Sequence, residues 1–200
     1  MSVIVAVKHN GAVYMGADSQ TTYGNEVKKN SVIESERKIT KLNNGLLIGG
    51  VGNASIIRRI VNSKDIFTVP SEGLSKKYIV TQIIPILFKF LDEKQLLSDK
   101  DEEDDDDEEL CSMHCSFIIA HNDKLFYINR RLGVWENSKF CVAGSGGAFA
   151  FPYLSAFDDC GDVNGQLLNA MRGSAKHDAA VSGPYVFIDS RNLVYTIKES

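Results

Sequence analysis

The first seventeen residues place a strong limit on the fold, because they read as two short strands around a tight turn. A β-branched run over 2–7 and an apolar run over 12–17 flank the dipeptide Asn10-Gly11. Asn-Gly suits the two-residue turns that join adjacent antiparallel strands, since both positions tolerate a positive φ. The sequence therefore predicts a β-hairpin whose first strand begins at the second residue of the chain.

A second hairpin and two helices are predicted next. The runs 37–42 and 46–51 flank Asn43-Asn44-Gly45, a turn sequence of the same type. Asn53 is predicted to cap the following helix, in which apolar residues recur at helical spacing. The segment 74–94 is predicted as a longer helix with a kink or a broken turn at Pro85.

The remaining chain repeats this alternation of strands and helices. Strands are predicted at 115–120, 125–129, 140–143, 185–189 and 193–198, and helices at 148–157 and 163–172. An order of strands, two helices, strands, two helices and strands predicts an α+β domain with its sheets at the centre. A chain of 200 residues fits one such domain, spanning 1–200.

The charge is concentrated in one segment. Residues 101–109 are nine consecutive acidic side chains, and the rest of the chain carries 22 basic and 17 acidic ones. Like charges in sequence repel one another and bury no apolar surface, so residues 100–110 are predicted to be a solvated loop inserted in the domain. The remainder is only mildly basic, which argues against a nucleic-acid partner.

Hydropathy and cysteine content indicate the cellular compartment in which the protein is expected. No run approaches 18 apolar residues, and no basic segment precedes the short apolar run at the N-terminus, so neither a membrane span nor a signal peptide is predicted. Four cysteines do not form a disulfide framework, and Cys111 and Cys115 have no second ligand pair spaced for zinc. A cytoplasmic protein with reduced thiols is expected.

Ser2 is the residue whose chemistry depends most on its position. A small residue after the initiator methionine favours removal of Met1, which would leave Ser2 as the N-terminus. A free α-amine has a pKa of about 7.7–8.0 and can accept the proton of the hydroxyl on the same residue. Ser2 also opens a predicted core strand, whereas most Met-Ser starts carry no such context.

Several segments, in order, resemble one known family. They are 2–11, Gly16-Ala-Asp-Ser-Gln20, Arg37-Lys-Ile39, Gly49-Gly-Val-Gly52 and Ala143-Gly-Ser-Gly-Gly147. Together they closely resemble the proteasome β subunits, and among these the bacterial proteasome-like peptidase HslV, which are N-terminal nucleophile (Ntn) hydrolases. The resemblance is strong over 2–52 and 141–183 and weak between them.

The resemblance implies a catalytic set. Ser2 stands where the family has its N-terminal threonine nucleophile, and Gly49 where a glycine N–H stabilises the oxyanion. Asp18 matches an aspartate that orients the N-terminal region, and Lys38 matches the lysine paired with it. Such a lysine is expected to lower the pKa of the nucleophile and its amine.

Two further groups of residues are implied by the same resemblance. Ser145 and Asp178 match the pair that holds the α-amine. The backbone carbonyls of His177, Ala180 and Gly183 match a loop that binds a structural cation, Na⁺ or Mg²⁺, and no cofactor is implied for the chemistry.

Three departures qualify the match. Serine replaces threonine, so the methyl group that restricts the hydroxyl rotamer is missing and slower catalysis is expected. The segment 26–36 needs extra residues before Lys38 aligns, which leaves Lys41 as an alternative. The acidic insertion falls where the family has a short connection.

The resemblance also implies an architecture and partners. The expected fold is a four-layer αββα sandwich. The expected assembly is two stacked rings of identical subunits, six to a ring, that receive polypeptide substrates from an AAA+ ATPase unfoldase. Two other functions stay open: an inactive ring subunit that serves as a scaffold, and an amidohydrolase acting on a small amide.

Overall fold

The fold is given by a computed structural model that describes residues 2–23, 26–29, 37–63, 65–98, 111–156, 161–191 and 194–197. The expectations for Met1 and for the acidic segment 100–110 lie outside these residues.

The predicted N-terminal hairpin is confirmed. Strand β1 (Ile4–His9) pairs in antiparallel register with β2 (Ala12–Ala17), and His9 lies opposite Ala12. Asn10 and Gly11 both have positive φ values, +48° and +72°, as a two-residue hairpin turn requires. The first strand begins at Ile4 rather than at residue 2, because Ser2 and Val3 make the site contacts described below.

Two five-stranded antiparallel sheets form the centre of the molecule. The first has the order β12-β1-β2-β13-β14, in which β12 is Phe140–Ala143, β13 is Tyr185–Asp189 and β14 is Val194–Ile197. The second has the order β11-β10-β9-β6-β5, with bounds Val134–Glu136, Lys124–Ile128, Cys115–His121, Leu47–Gly52 and Ile39–Lys41. The second predicted hairpin is therefore β5–β6.

Two short ribbons complete the strands. One pairs β3 (Gln20–Tyr23) with β4 (Glu26–Lys29), and the other pairs β7 (Leu97–Ser98) with β8 (Ser112–Met113). Neither ribbon nor the edge strand β11 is predicted from the sequence, since none of them carries the long apolar alternation on which strand prediction depends.

The helical layer over the second sheet contains α1 (Ala54–Val61) and a longer helical stretch. Asn53 caps α1 as predicted, accepting hydrogen bonds from the backbone N–H groups of Ser55 and Ile56. The longer stretch consists of α2 (Lys76–Tyr78), a π-helical segment (Ile79–Ile83) and α3 (Ile84–Glu93). Pro85 has no N–H to donate to the carbonyl four residues earlier, so a regular α-helix cannot continue unchanged through this point.

The opposite helical layer covers the first sheet. It consists of α4 (Gly147–Ala156) and α5 (Val163–His177), and Asp162 caps α5 by accepting from the N–H of Gly165. Both helices were predicted, although α5 continues five residues beyond the predicted end.

Three apolar clusters show how the layers stack. One lies between the second sheet and the helices α1 to α3 and includes Ile60, Ile83, Leu87 and Phe117. The second lies between the two sheets and includes Ile4, Met15, Ile118 and Leu125. The third lies between the first sheet and the helices α4 and α5 and includes Val5, Leu167, Met171 and Phe187. These layers confirm the predicted αββα sandwich.

Within the ranges given above, the structure contains no helix with the length and apolar character needed to cross a bilayer.

Candidate active site

Asp18 and Lys38 form a buried ion pair beside the start of β1. The Lys38 Nζ lies 2.7 Å from both carboxylate oxygens of Asp18 and donates to the carbonyl of Gln20 at 2.6 Å. The carboxylate also accepts from the N–H of Val3 at 2.8 Å and of Gln20 at 3.1 Å. Asp18 therefore fixes the backbone of the residue that follows Ser2 while holding the lysine in place.

Burial brings the proton affinities of these two groups closer together. The Asp18 side chain is 0% exposed and that of Lys38 is 12% exposed. Burial raises the pKa of Asp18, although Lys38 and the backbone donors act in the opposite sense. Burial lowers the pKa of Lys38, and the carboxylates of Asp18 and Asp178 oppose that shift. The ammonium is thus easier to deprotonate than a lysine in water.

A second polar pair contacts Ser2 itself. Ser145 follows β12 in the turn before α4, and its hydroxyl donates to Asp178 Oδ2 at 2.6 Å. The same hydroxyl oxygen accepts from the backbone nitrogen of Ser2 at 3.3 Å. Asp178 is the residue after α5, and its Oδ1 accepts from the N–H of Ala180 at 2.9 Å. The structure therefore joins Ser2, Ser145 and Asp178 in one hydrogen-bonded chain, and their role in holding an amine stays a prediction.

The turn that carries Ser145 encloses the Ser2 backbone. Gly146 N–H donates to the Ser2 carbonyl at 3.2 Å, so both the nitrogen and the carbonyl of Ser2 are held by this turn. Gly144 has a φ of +91°, and a Cβ there would lie 2.1 Å from the Ser2 carbonyl oxygen. Ser174, on α5, supports the turn by donating its buried hydroxyl to the carbonyl of Gly146 at 2.8 Å. Sequence reasoning did not single out Ser174.

Lys41, the alternative partner of Asp18, is engaged elsewhere. Its Nζ donates to the carbonyl of Ser190 at 3.1 Å, at the other end of β5. The geometry therefore places Lys38, and not Lys41, against Asp18, and the extra residues between 26 and 36 do not displace it.

Gly49 does not join this polar cluster. It lies between the sheets, where a Cβ would contact Ile39 and Ile4 at 3.0 Å each. Gly50 N–H donates to the carbonyl of Lys38, and successive N–H groups of a strand point to opposite sides. Gly49 N–H therefore points toward β9, where Gly49 lies opposite Ile118. A donor inside the sheet is poorly placed to receive an oxyanion.

Gly52 is better placed than Gly49. It is exposed at the end of β6, and its N–H points to the same side as that of Gly50, beyond the end of β5. Its φ of +116° and the 2.3 Å from a would-be Cβ to the His114 carbonyl oxygen both require glycine. The sequence signal was available, because the motif holds three glycines, but the sequence alone does not tell which of them ends the strand.

Comparison with known proteins adds sequence and fold relationships. No protein-family profile matches the chain. The ATP-dependent protease subunit HslV of Campylobacter concisus is 22% identical over 169 residues, covering 84% of each chain.

Three solved structures superpose over almost the whole chain. Thiobacillus denitrificans BPH in complex with epoxomicin has a TM-score of 0.72 at 17% identity, covering 98% of this chain and all of the other. HslV of Trypanosoma brucei has a TM-score of 0.65 at 18% identity, covering 94% and 98%. The helical assembly of Anbu from Pseudomonas aeruginosa has a TM-score of 0.69 at 15% identity, covering 98% and 87%.

This is the proteasome-like Ntn-hydrolase fold. The fold resemblance predicted from the sequence is thereby confirmed. Ser2, the residue that the sequence resemblance matches to the nucleophile, lies two residues before the start of β1.

The candidate cation loop of this proteasome-like fold follows α5. His177 is the last residue of the helix, where carbonyl oxygens lack intrahelical donors, and a turn closes from the Asp178 carbonyl to the N–H of Val181. Neutral carbonyl oxygens such as those of His177, Ala180 and Gly183 suit hard cations such as Na⁺ and Mg²⁺. The donor chemistry fits, and cation binding stays a prediction.

The described residues contain no cluster of three or more His, Cys, Asp or Glu side chains suited to a metal ion. Cys115 and Cys141 are buried strand residues, and burial raises the pKa of each thiol to about 12. The zinc alternative considered for Cys111 and Cys115 is not supported by this placement, since Cys115 packs in the core.

Proposed function

We propose that this chain is a proteasome-like, HslV-type peptidase subunit in which Ser2 becomes the nucleophile once Met1 is removed. The observation that carries the proposal is the double anchoring of the Ser2 backbone. Ser145 and Gly146 hold its nitrogen and carbonyl, and Asp18 holds the next N–H. An ordinary strand end does not need hydrogen bonds from two separate segments to fix its backbone.

The proposed reaction uses groups already present on the chain. The Ser2 amine accepts the hydroxyl proton, directly or through water, while Oγ forms a bond to the carbonyl carbon of a peptide. When the tetrahedral intermediate collapses, the C–N bond breaks and the leaving amine takes the proton from the Ser2 ammonium. Water then attacks the ester with the amine again as base, and Ser2 Oγ recovers its proton as the acid product leaves.

Lys38, Ser145 and Asp178 set the protonation state of that base. A nearby ammonium lowers the pKa of an amine, so Lys38 favours the unprotonated, basic form near neutral pH. The Ser145 hydroxyl donates to Asp178, so its oxygen lone pairs remain available to the Ser2 nitrogen. We assign the oxyanion donor to Gly52 N–H in place of Gly49, for the geometric reasons given above.

The relatives suggest the setting. One relative is named as a subunit of an ATP-dependent protease, and one solved neighbour is described as a helical assembly. We propose that this chain acts on polypeptides within a homo-oligomer, in stacked rings, and receives them from an ATP-driven unfoldase of the AAA+ type. A cytoplasmic location fits the free thiols of Cys111, Cys115 and Cys141.

The alternative is an inactive subunit that keeps the fold as a scaffold. Serine in place of threonine and a retained Met1 would favour it. The intact contacts of Asp18, Lys38, Ser145 and Asp178 speak for the active form, since a scaffold has no use for a buried lysine beside the chain start.

The first experiment combines intact-mass measurement with epoxomicin labelling. A solved neighbour, Thiobacillus denitrificans BPH, is in complex with epoxomicin, so this compound serves as the probe. We expect the purified chain to lack one methionine, to gain the mass of one epoxomicin, and to cleave unfolded polypeptides. Ser2→Ala should abolish labelling and cleavage, whereas Ser71→Ala, at an exposed serine, should change neither.

Each other outcome has a definite meaning. Retained Met1 with no labelling would favour the scaffold, because a blocked nitrogen cannot serve as base. Hydrolysis of small amides without cleavage of polypeptides would favour the amidohydrolase. Cleavage that survives in Ser2→Ala would refute the proposed nucleophile.

A further inference from the structure

Gln20 contacts the Asp18–Lys38 pair directly, and its side chain reaches the residue next to Asp178, a member of the second pair. Its backbone N–H donates to Asp18 Oδ2 at 3.1 Å, and its carbonyl accepts from Lys38 Nζ at 2.6 Å. Its side-chain Nε2 donates to the carbonyl of Ala179 at 2.9 Å, across a separation of 159 residues. Ala179 is the residue after Asp178.

The side-chain bond is in a position to set the geometry of the second pair. Asp178 accepts from Ser145 on one carboxylate oxygen and from Ala180 N–H on the other. Any displacement of 178–180 therefore moves the Ser145 hydroxyl relative to the Ser2 nitrogen. The Gln20 amide joins this segment to the part of the chain that contacts the Asp18–Lys38 pair.

Burial makes this contact matter. Gln20 is 2% exposed, so its amide cannot exchange the Ala179 carbonyl for water without moving. A buried amide left without an acceptor costs free energy, so the Gln20 side chain favours the loop position that keeps the carbonyl of the exposed residue Ala179 within reach. The loop held in this way contains Asp178.

We propose that Gln20 is a positioning residue that fixes the Ser145–Asp178 pair relative to the Asp18–Lys38 pair. The inference rests on the proposed peptidase function. Gln20 acts through Asp178 and Ala179, so its loss should affect the chemical step and leave substrate binding largely unchanged.

The test begins with Gln20→Met, which keeps the length of the side chain and removes its donor. We expect kcat to fall about tenfold with KM within twofold, since small displacements of a catalytic group produce losses of this order or larger. The matched control is Asn44→Leu. Asn44 also donates a side-chain amide to a distant carbonyl, that of Phe67 at 2.7 Å, and its loss should leave kcat unchanged.

Gln20→Glu should give a pH dependence of activity that a general loss of stability would not produce. A protonated carboxyl can donate to the Ala179 carbonyl, whereas a carboxylate repels it. The activity of Gln20→Glu relative to the wild type should therefore fall as the pH rises through the pKa of the new carboxyl. The ratio for Gln20→Met should stay flat. A flat ratio for both variants, or a kcat for Gln20→Met equal to that of Asn44→Leu, would overturn the proposal.

Amide hydrogen exchange separates this inference from the proposed function, because it needs no activity. Two N–H groups are held in similar bonds to an aspartate two residues earlier, Ala180 to Asp178 and Arg191 to Asp189. In Gln20→Met the Ala180 amide should exchange faster and the Arg191 amide should not change. Equal exchange at Ala180 in wild type and variant would refute the positioning role even if Ser2 proves catalytic. If the Ala180 amide exchanges faster in Gln20→Met but Ser2→Ala leaves activity unchanged, the peptidase proposal is refuted and the positioning role of Gln20 stands.

Discussion

The Asp18–Lys38 pair and the Ser145–Asp178 pair hold adjacent atoms at the start of β1, yet their surroundings differ. The first is an ion pair almost wholly out of water, and it also accepts two backbone hydrogen bonds. The second is a hydroxyl–carboxylate contact in which Ser145 is exposed and Asp178 half-buried. The buried pair should therefore matter to folding as well as to chemistry, and the exposed pair to chemistry almost alone.

The largest effect is expected from Asp18→Asn. This change leaves the buried Lys38 ammonium without its counter-charge, and breaking a buried pair costs about 3–5 kcal/mol. We expect a clear drop in the free energy of unfolding, measured by urea denaturation, together with loss of peptidase activity. A variant as stable as the wild type would remove the distinction between the two pairs.

Asp178→Asn should give the opposite profile. The hydrogen bond it weakens is exposed, so the free energy of unfolding should change by no more than about 1.5 kcal/mol. Activity should fall about 10- to 100-fold, because an amide accepts from the Ser145 hydroxyl less strongly than a carboxylate does and orients it less well toward the Ser2 nitrogen. Steady-state kinetics and denaturation on the same preparation test this, and a large loss of stability with full activity would contradict it.

Lys38→Arg tests the electrostatic role of the buried pair. Burial lowers the pKa of Lys38, so its charge is lost as the pH rises through a value below that of an ordinary lysine. With that charge gone, the Ser2 hydroxyl becomes harder to deprotonate, and we expect an alkaline decline in wild-type activity. Arginine keeps its charge above pH 12, so the variant should be slower but should lack that alkaline decline in its pH–rate profile. The same decline in both proteins would assign it to another group.

The smallest effect is expected in the rate of thiol labelling, which measures how often a buried cysteine becomes exposed by local unfolding. Cys115 lies opposite Gly52 and is buried with a thiol pKa of about 12, while Cys111 is exposed. With iodoacetamide at pH 8, peptide mapping should show Cys111 modified quickly and Cys115 slowly. Asp18→Asn should accelerate labelling of Cys115 and Asp178→Asn should not. Equal acceleration by both would mean that the exposed pair also stabilises the sheets.

The local parts of this molecule could be predicted from sequence because short-range chemistry determines them. Asn10-Gly11 gives the β1–β2 turn, and Asn53 caps α1, each through contacts within a few residues. The order of strands and helices predicts an α+β domain with central sheets, and the family resemblance implies the four layers. The π-helical segment before Pro85 was less accessible, since a proline predicts that a helix is disturbed but not how it adjusts.

The site was only partly predictable, since its members meet through tertiary packing. Whether Lys38 or Lys41 pairs with Asp18 depends on the register of β5. The extra residues in the segment 26–36 prevent the sequence alone from giving that register. Gly49 and Gly52 are the same residue type in the same motif, so the sequence does not tell them apart. The pairing of β6 shows that the Gly49 N–H points toward β9 and that the Gly52 N–H lies at the end of the strand. Gln20 belongs to a segment that resembles the family, but its role could not be predicted, because its side-chain partner lies 159 residues away.

The Gly144 turn has a consequence for anyone who builds variant libraries of this chain. Its backbone passes so close to the Ser2 carbonyl that no side chain fits, although the residue itself is exposed. Design rules that treat exposed loop positions as freely variable would randomise it first. In a library screened only for soluble expression, position 144 should nevertheless tolerate almost nothing but glycine, with the same stringency as the apolar interior.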